Sequence, residues 1–308
     1  MLNIKNILFP TDFSRCAVQA LDHALFLAKY CQARLHIIHA LVLHQDDPHN
    51  PAYHFPDQKE LHEKLGNIAR ESMGSNLRAS KENSEEVRVI TKELRGFTAA
   101  EVILRYADAN DIDLIVMGTH GRRGLDYLFL GSVAREVVRE ASCPVYTIRE
   151  SETAKLPSQI DTILSPVDFS DHSGTAVSVA KEAAKLYNAK LQLLHIIEDR
   201  IHPAFYDAGQ EAVWKLQADI AGRSQKVMKR IFTESPGPGV QAEFKVISGH
   251  VVHEILEYAQ KNGIDLIVIA THGLSGLKHF LLGSVAEKVI HRARCPVLLV
   301  KAFGKIPF

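Results

Sequence analysis

Residues 118–148, GTHGRRGLDYLFLGSVAREVVREASCPVYTI, return as residues 270–300, ATHGLSGLKHFLLGSVAEKVIHRARCPVLLV, with 15 of 31 positions identical. NILFPTDFS at 6–14 returns in the same way as TILSPVDFS at 162–170. The shift is 152 for the first pair (270 − 118) and 156 for the second (162 − 6), so the first half holds four extra residues between these anchors. A chain written twice folds as two copies of one unit. Its 308 residues also exceed one ordinary core and suit two domains of roughly 150 residues. RESETAKLPSQ at 149–159 is polar, contains Pro157 and reads as a linker, which places the domains at 1–149 and 158–303.

Within each half, strand and helix patterns alternate. KNILFP is a short apolar run ending at a proline, and Ala17, Leu21, Leu25 and Ala28 then fall on one helical face. RLHIIHAL reads as a second buried strand, and a long loop leads to a helix over 57–77 with Leu61, Leu65 and Ile68 on one stripe. EVRVIT, the helix TAAEVILRYADAN, the strand DIDLIVMG, the helix GSVAREVVREAS and the strand CPVYTIR complete the half. The second half runs likewise from DTILSP to CPVLLVK. Strands without polar alternation, joined by helices, predict an α/β fold with a parallel sheet covered on both faces. Right-handed crossovers leave only doubly wound, Rossmann-like arrangements.

In such sheets ligands bind beyond the carboxyl ends of the strands, where the strand order reverses. The loops after the two IDLIV runs lie at such ends. A glycine at 118 lets backbone approach a ligand closely, and one at 121 can turn with φ > 0. Gly131-Ser132 opens a helix whose unsatisfied N–H groups and positive dipole end suit a phosphate. The same residues also serve as ordinary turn and cap residues, and both readings stand at this level.

The spacing G-x2-G-x9-G-[ST] between strand and helix, the Asp after the first strand and the CPV before the last resemble the universal stress protein family. The resemblance covers nearly the whole chain as two tandem copies. It implies an adenine-nucleotide-binding α/β fold with five parallel strands ordered 3-2-1-4-5, in a family where some members bind ATP and others lack the glycine motif and do not. It places Pro10, Thr11 and Asp12 beside the adenine, with Ala40 at the end of the second strand. Met117 and Gly118 would border the ribose and α-phosphate, Gly121 would turn the loop, and Gly131, Ser132 and Val133 would hold the phosphates, with Arg122 within reach. The matching second-half residues are Pro166, Val167, Asp168, Ile269, Ala270, Gly273, Gly283, Ser284 and Val285. Ala270 departs from the glycine of the motif. Asp12 also reads as a cap of the helix that begins near Ser14.

Other chemistry finds no pattern. The lysine of a Walker A loop, a GxGxxG, an HExxH, a GxSxG and kinase signatures are all absent from the sequence. His120 and His272 lie beside the glycines without a partner base. His44, His49 and His54, near Asp46 and Asp47, match no zinc spacing and read as a solvated loop. No metal site is expected beyond Mg²⁺ accompanying ATP. The expected function is binding of ATP, or AMP or ADP, by a stress-response signalling or protective module and not an enzyme. The alternatives are an interaction scaffold with degenerate pockets and a weak ATPase or phosphotransferase. Lys+Arg and Asp+Glu are both 36, which gives no support to nucleic-acid binding. No run suits a membrane span, the start lacks a signal-peptide layout, and the four cysteines form no CxxC, so a cytoplasmic protein with reduced thiols is expected. The last strands, VYTIR and VLLVK, would each leave an unpaired edge. The two halves are therefore expected to pair through them as a pseudo-dimer, with room for further homodimerisation.

Overall fold

The computed structural model describes residues 3–42, 87–119, 130–150, 157–198, 210–271 and 282–301, with backbone alone for 210–218. The chain divides between Pro157 and Ser158 into two compact units. In the first, β1 (Asn6–Pro10), α1 (Arg15–Cys31), β2 (Arg34–Val42), β3 (Val89–Gly96), α2 (Ala99–Ala109), β4 (Leu114–Gly118), α3 (Ser132–Glu140) and β5 (Val145–Ile148) follow in order. Their sheet runs β3-β2-β1-β4-β5 with every pair parallel. The second unit has β6 (Thr162–Pro166), α4 (Asp171–Tyr187), β7 (Lys190–Ile197), α5 (Gln210–Glu234), β8 (Ala242–Ser248), α6 (Val251–Lys261), β9 (Leu266–Ala270), α7 (Ser284–Arg292) and β10 (Val297–Val300). Its sheet runs β8-β7-β6-β9-β10, again all parallel. Each unit is thus a doubly wound sheet with strand order 3-2-1-4-5. The helix expected over 57–77 lies outside the described residues.

The central strands are apolar on both faces because both faces are covered. Ile7, Leu8 and Phe9 are all buried, as are Leu114 to Met117 on the neighbouring strand. The stripe Ala17, Leu21, Leu25 and Ala28 is the buried face of α1. β3 begins later than EVRVIT and runs on to Gly96, and three of its eight residues (Lys92, Glu93 and Arg95) are charged. It lies at the end of the strand order, where backbone pairing with β2 continues to Val42↔Gly96 and outward side chains need not be apolar.

Side-chain oxygens start three of the helices. Ser14 accepts from the Ala17 amide, Ser170 from the Ser173 amide and Thr98 from the Glu101 amide. The repeated IDLIV has a structural cause too. Asp113 Oδ2 accepts from the Lys5 and Asn6 amides at 2.8 and 3.0 Å, tying β4 to the start of β1. Asp265 does the same for Asp161 and Thr162 at 2.9 and 3.1 Å. These clasps stand at the amino ends of the strands and leave the carboxyl ends to the loops.

Candidate functional site

In the first unit β1 pairs with β2 on one side and β4 on the other, so the strand order reverses between β1 and β4. Two loops leave the sheet there. The first, Thr11–Ser14, starts with the Thr11 amide donating to the Ile38 carbonyl at 2.9 Å. The buried Thr11 hydroxyl oxygen accepts from the Phe13 amide at 3.0 Å, and Asp12 Oδ1 accepts from the Ser14 amide at 3.0 Å. The cap of α1 is Ser14, and Asp12 instead folds the turn that precedes it. Phe13 has φ +63°, a left-handed conformation that bulky residues rarely adopt. His39, on β2 just beyond the level where β1 stops, donates from Nδ1 to the Thr11 carbonyl at 2.7 Å, and its ring centroid lies 4.6 Å from that of Phe13.

The second loop leaves β4 at Gly118 and Thr119. Buried Thr119 donates its amide to the Ile148 carbonyl at 2.8 Å and accepts the Gly131 amide on its own carbonyl at 2.8 Å. This one residue brings the start of α3 back to the end of β4. Gly131 is the N-cap and offers no side-chain cap, and the first turn of α3 carries no acid. The first N–H groups of a helix have no partner within it, so this end favours an anion.

The second unit repeats the arrangement, most of it with matching contacts. Thr271 donates to Val300 at 2.9 Å and accepts from Gly283 at 2.7 Å, and Gly283 is the N-cap of α7. The Val167 amide donates to the Leu194 carbonyl at 2.8 Å. Asp168 Oδ1 accepts both the amide and the hydroxyl of Ser170, at 3.1 and 2.6 Å. Phe169 has φ +65°, and its ring stacks on His195 at 4.0 Å between centroids. His195 Nδ1 donates to the Val167 carbonyl at 2.8 Å. Burial holds the pKa of His195 below its ordinary value, against the opposite pull of that bond and of the Asp168 charge. α7 and α4 both carry an acid in the first turn, Glu287 and Asp171.

Of the residues singled out by sequence, Pro10, Thr11, Asp12, Gly118, Gly131, Ser132 and Val133 lie at the carboxyl ends of β1 and β4 or at the start of α3. Ala40 stands on β2 opposite Leu94. Met117 is buried and paired with Thr147, so its side chain belongs to the core. Pro166, Val167, Asp168, Ile269, Ala270, Gly283, Ser284 and Val285 occupy the matching places, with Ile269 buried. Gly121, Arg122 and Gly273 lie outside the described residues, as do His120, His272 and the 44–54 loop.

Gly118 has a different neighbour from the one its sequence suggests. A Cβ there would meet Cys16 Sγ at 2.8 Å and the backbone of Cys16 and Ala17 at 3.2 and 3.3 Å. The side on which a methyl would project is filled by the first turn of α1. Sequence reasoning also passed over Thr119, Thr271 and the His–Phe pairs. The repeated THG and the histidine in each second strand were the available signals.

Elsewhere, ligand atoms of His253, Glu254 and Glu257 on α6 lie within 4.8 Å of one another, but Glu257 already holds Lys261 at 2.7 Å. Burial pushes the Cys31 and Cys295 thiols up to about 11 and about 12, which keeps them protonated. No helix among the described residues is long and apolar enough to cross a membrane.

The model of the universal stress protein family matches residues 3–149 and again 159–301. Universal stress protein YxiE of Bacillus subtilis is 32% identical over 144 residues, 45% of this chain and 97% of its own length. A universal stress protein of Methanocaldococcus jannaschii is 36% identical over 140 residues, 45% of this chain and 81% of that one. Among solved structures, a universal stress protein from Archaeoglobus fulgidus superposes with a TM-score of 0.65 at 20% identity, covering 96% of this chain and 98% of the other. At that identity the likeness concerns the fold alone, and it extends over both units. Two family matches in series, on two sheets of the same strand order, mean that the chain belongs to the universal stress protein family as a tandem, two-domain member.

Proposed function

We propose that this chain is an adenine-nucleotide-binding stress-response module that holds ATP, or AMP or ADP, without turning it over. The observation that carries the reading is the backbone bond between Gly131 and Thr119, 2.8 Å long. It sets a helix start without a side-chain cap at the point where the strand order reverses, next in the sheet to the loop that carries Asp12. Phosphates would meet the N–H groups of Ser132 and Val133, and the base would lie toward Pro10, Thr11, Asp12 and Ala40, with Mg²⁺ accompanying ATP. Gly121, Arg122, Gly273 and Ala270 belong to the same proposal. The first half is the tighter site, because Asp171 and Glu287 place carboxylates in helix first turns where the first half has none.

Calorimetry of the full chain with ATP, on Gly131→Glu and Gly283→Glu separately, tests this. A carboxylate at the phosphate position should remove binding in its own half by about two orders of magnitude, and Gly131→Glu should remove the tighter event. Loss of the tighter event in the Gly283 variant reverses the ranking. An unmodified chain that binds no nucleotide leaves the interaction scaffold, a reading favoured by the Gly118–Cys16 packing; steady phosphate release leaves the weak ATPase or phosphotransferase.

The domain limits 1–149 and 158–303, the cytoplasmic setting and the pairing of the halves through VYTIR and VLLVK, with further homodimerisation, belong to the same reading and rest on the sequence. Pairing through those strands predicts slow hydrogen exchange at every amide of 145–148 and 297–300, where an open edge would leave alternate amides fast.

A further inference from the structure

We propose that His39 and His195 are positioning residues of the two crevices, each tying down the loop after the first strand so that the aspartate within it is held in place for a ligand. The inference rests on the nucleotide reading above. Five non-glycine residues have positive φ among those described: Phe13, Gln32, Asp111, Phe169 and Asn188. Gln32 and Asn188 close helices, and Asp111 belongs to a residue type that tolerates the left-handed region. The two phenylalanines do not, and they occupy the same place in both repeats. Bulky residues persist in such a conformation only where their surroundings over-determine it.

The histidine supplies that determination from both sides of the aspartate. Its Nδ1 bonds the carbonyl of the residue before Asp12 or Asp168, at 2.7 and 2.8 Å, and its ring packs on the phenylalanine after it. A carbonyl only accepts, so Nδ1 carries the hydrogen and the tautomer is fixed. The halves also compensate for each other's differences. Thr11 adds a hydroxyl bond to the Phe13 amide, and there the rings are 4.6 Å apart and tilted by 37°. Val167 has no hydroxyl to give, and there the rings close to 4.0 Å and 24°.

The test uses the full chain with both histidines replaced, ATP as the probe, and hydrogen exchange over 11–14 and 167–170 as a second readout. His39→Leu with His195→Leu keeps bulk and loses the donor. It should lower ATP affinity about tenfold, the scale of one buried carbonyl left without its donor, and speed loop exchange. His39→Asn with His195→Asn puts an amide N–H where Nδ1–H stood and should recover most of both. Adding Phe13→Gly and Phe169→Gly to the Leu pair should also reduce the loss, since glycine adopts this φ unaided. Unchanged affinity and exchange in the Leu pair, or an Asn pair no better than Leu, overturns the proposal; so does a glycine pair that restores nothing. Should the Leu pair fail to fold, a Gln pair, which moves the donor outward to the Nε2 position, takes its place against Asn. If the unmodified chain binds no ATP, the nucleotide reading falls and exchange alone decides the clamp: faster in Leu and restored in Asn sustains it, and no change overturns it.

Discussion

The two units share strand order and loop anchors, yet at several equivalent places they carry different residues. At the turn after the first strand, the Thr11 hydroxyl accepts from the backbone where Val167 has no hydroxyl. At the end of the fourth strand, Gly118 makes room for Cys16 where the second unit has Ala270. In the first helix, Leu25 is fully buried where the second unit has Lys181. Lys181 reaches the Phe232 and Ser235 carbonyls at the end of α5. A duplicated fold therefore keeps its backbone geometry while the contacts that enforce it drift. Equivalent positions are a guide to where a ligand would sit and a poor guide to what each side chain does there.

Exchanging equivalent residues breaks or sharpens this comparison. Lys181→Leu imports the residue of the first unit and should have the largest effect. It strips two carbonyls at a helix end of a charged donor, at a cost of roughly 3 kcal/mol. Urea unfolding followed by Trp214, the single tryptophan, reads the second unit directly. An unchanged midpoint would mean that the lysine is no brace.

Gly118→Ala imports Ala270. The methyl has to displace the first turn of α1, and overpacking of this kind costs about 2 kcal/mol. Thermal unfolding of Gly118→Ala with and without Cys16→Ala checks it, and recovery by the second change locates the clash at the thiol.

His23→Val imports Val179 and acts through pH. Burial lowers the pKa of His23 to about 4 from the ordinary 6.5, so the fold favours the neutral ring. That contribution is whole above pH 6.5 and is lost as pH falls through the window from 6.5 to about 4. At pH 5 the unmodified chain should have lost about 2 kcal/mol that the valine variant keeps. Parallel stability–pH curves for the two would refute the assignment. Thr11→Val, the mildest exchange, removes one hydroxyl–amide bond worth about 1 kcal/mol. It should weaken ATP binding by the first half several-fold while the second half is unmoved.

The fold was legible because strands buried on both faces must be written as unbroken apolar runs, and each run here occurs twice. β3 ran past its apolar stretch because an edge strand needs backbone pairing more than apolar side chains. The site was legible in part. Gly131-Ser132 announces a helix start whichever role it plays, but a glycine code does not tell which side its missing methyl would have faced, and at Gly118 that side belongs to α1. The turn Asp-Phe-Ser contains no glycine to signal its positive φ. It is held by a histidine 26 residues from Phe13 in both copies, as 39 − 13 and 195 − 169 show, and only the folded chain brings them together.

The aspartate clasps bear on the order in which the molecule is made. Asp113 grips amides 107 and 108 residues upstream, and Asp265 grips amides 103 and 104 residues upstream. The strand synthesised first in each unit is the central one, and it is flanked on both sides only when the fourth strand arrives. On the ribosome β1 therefore waits, with one edge unpaired, until Asp113 has emerged, and β6 waits in turn for Asp265. Closing contacts so distant in sequence is slow, and an open central edge is a place where chains misassociate. Asp113 precedes Thr162 in the chain, so β1 can be flanked on both sides before β6 is made, with α3 and β5 still to follow the first clasp.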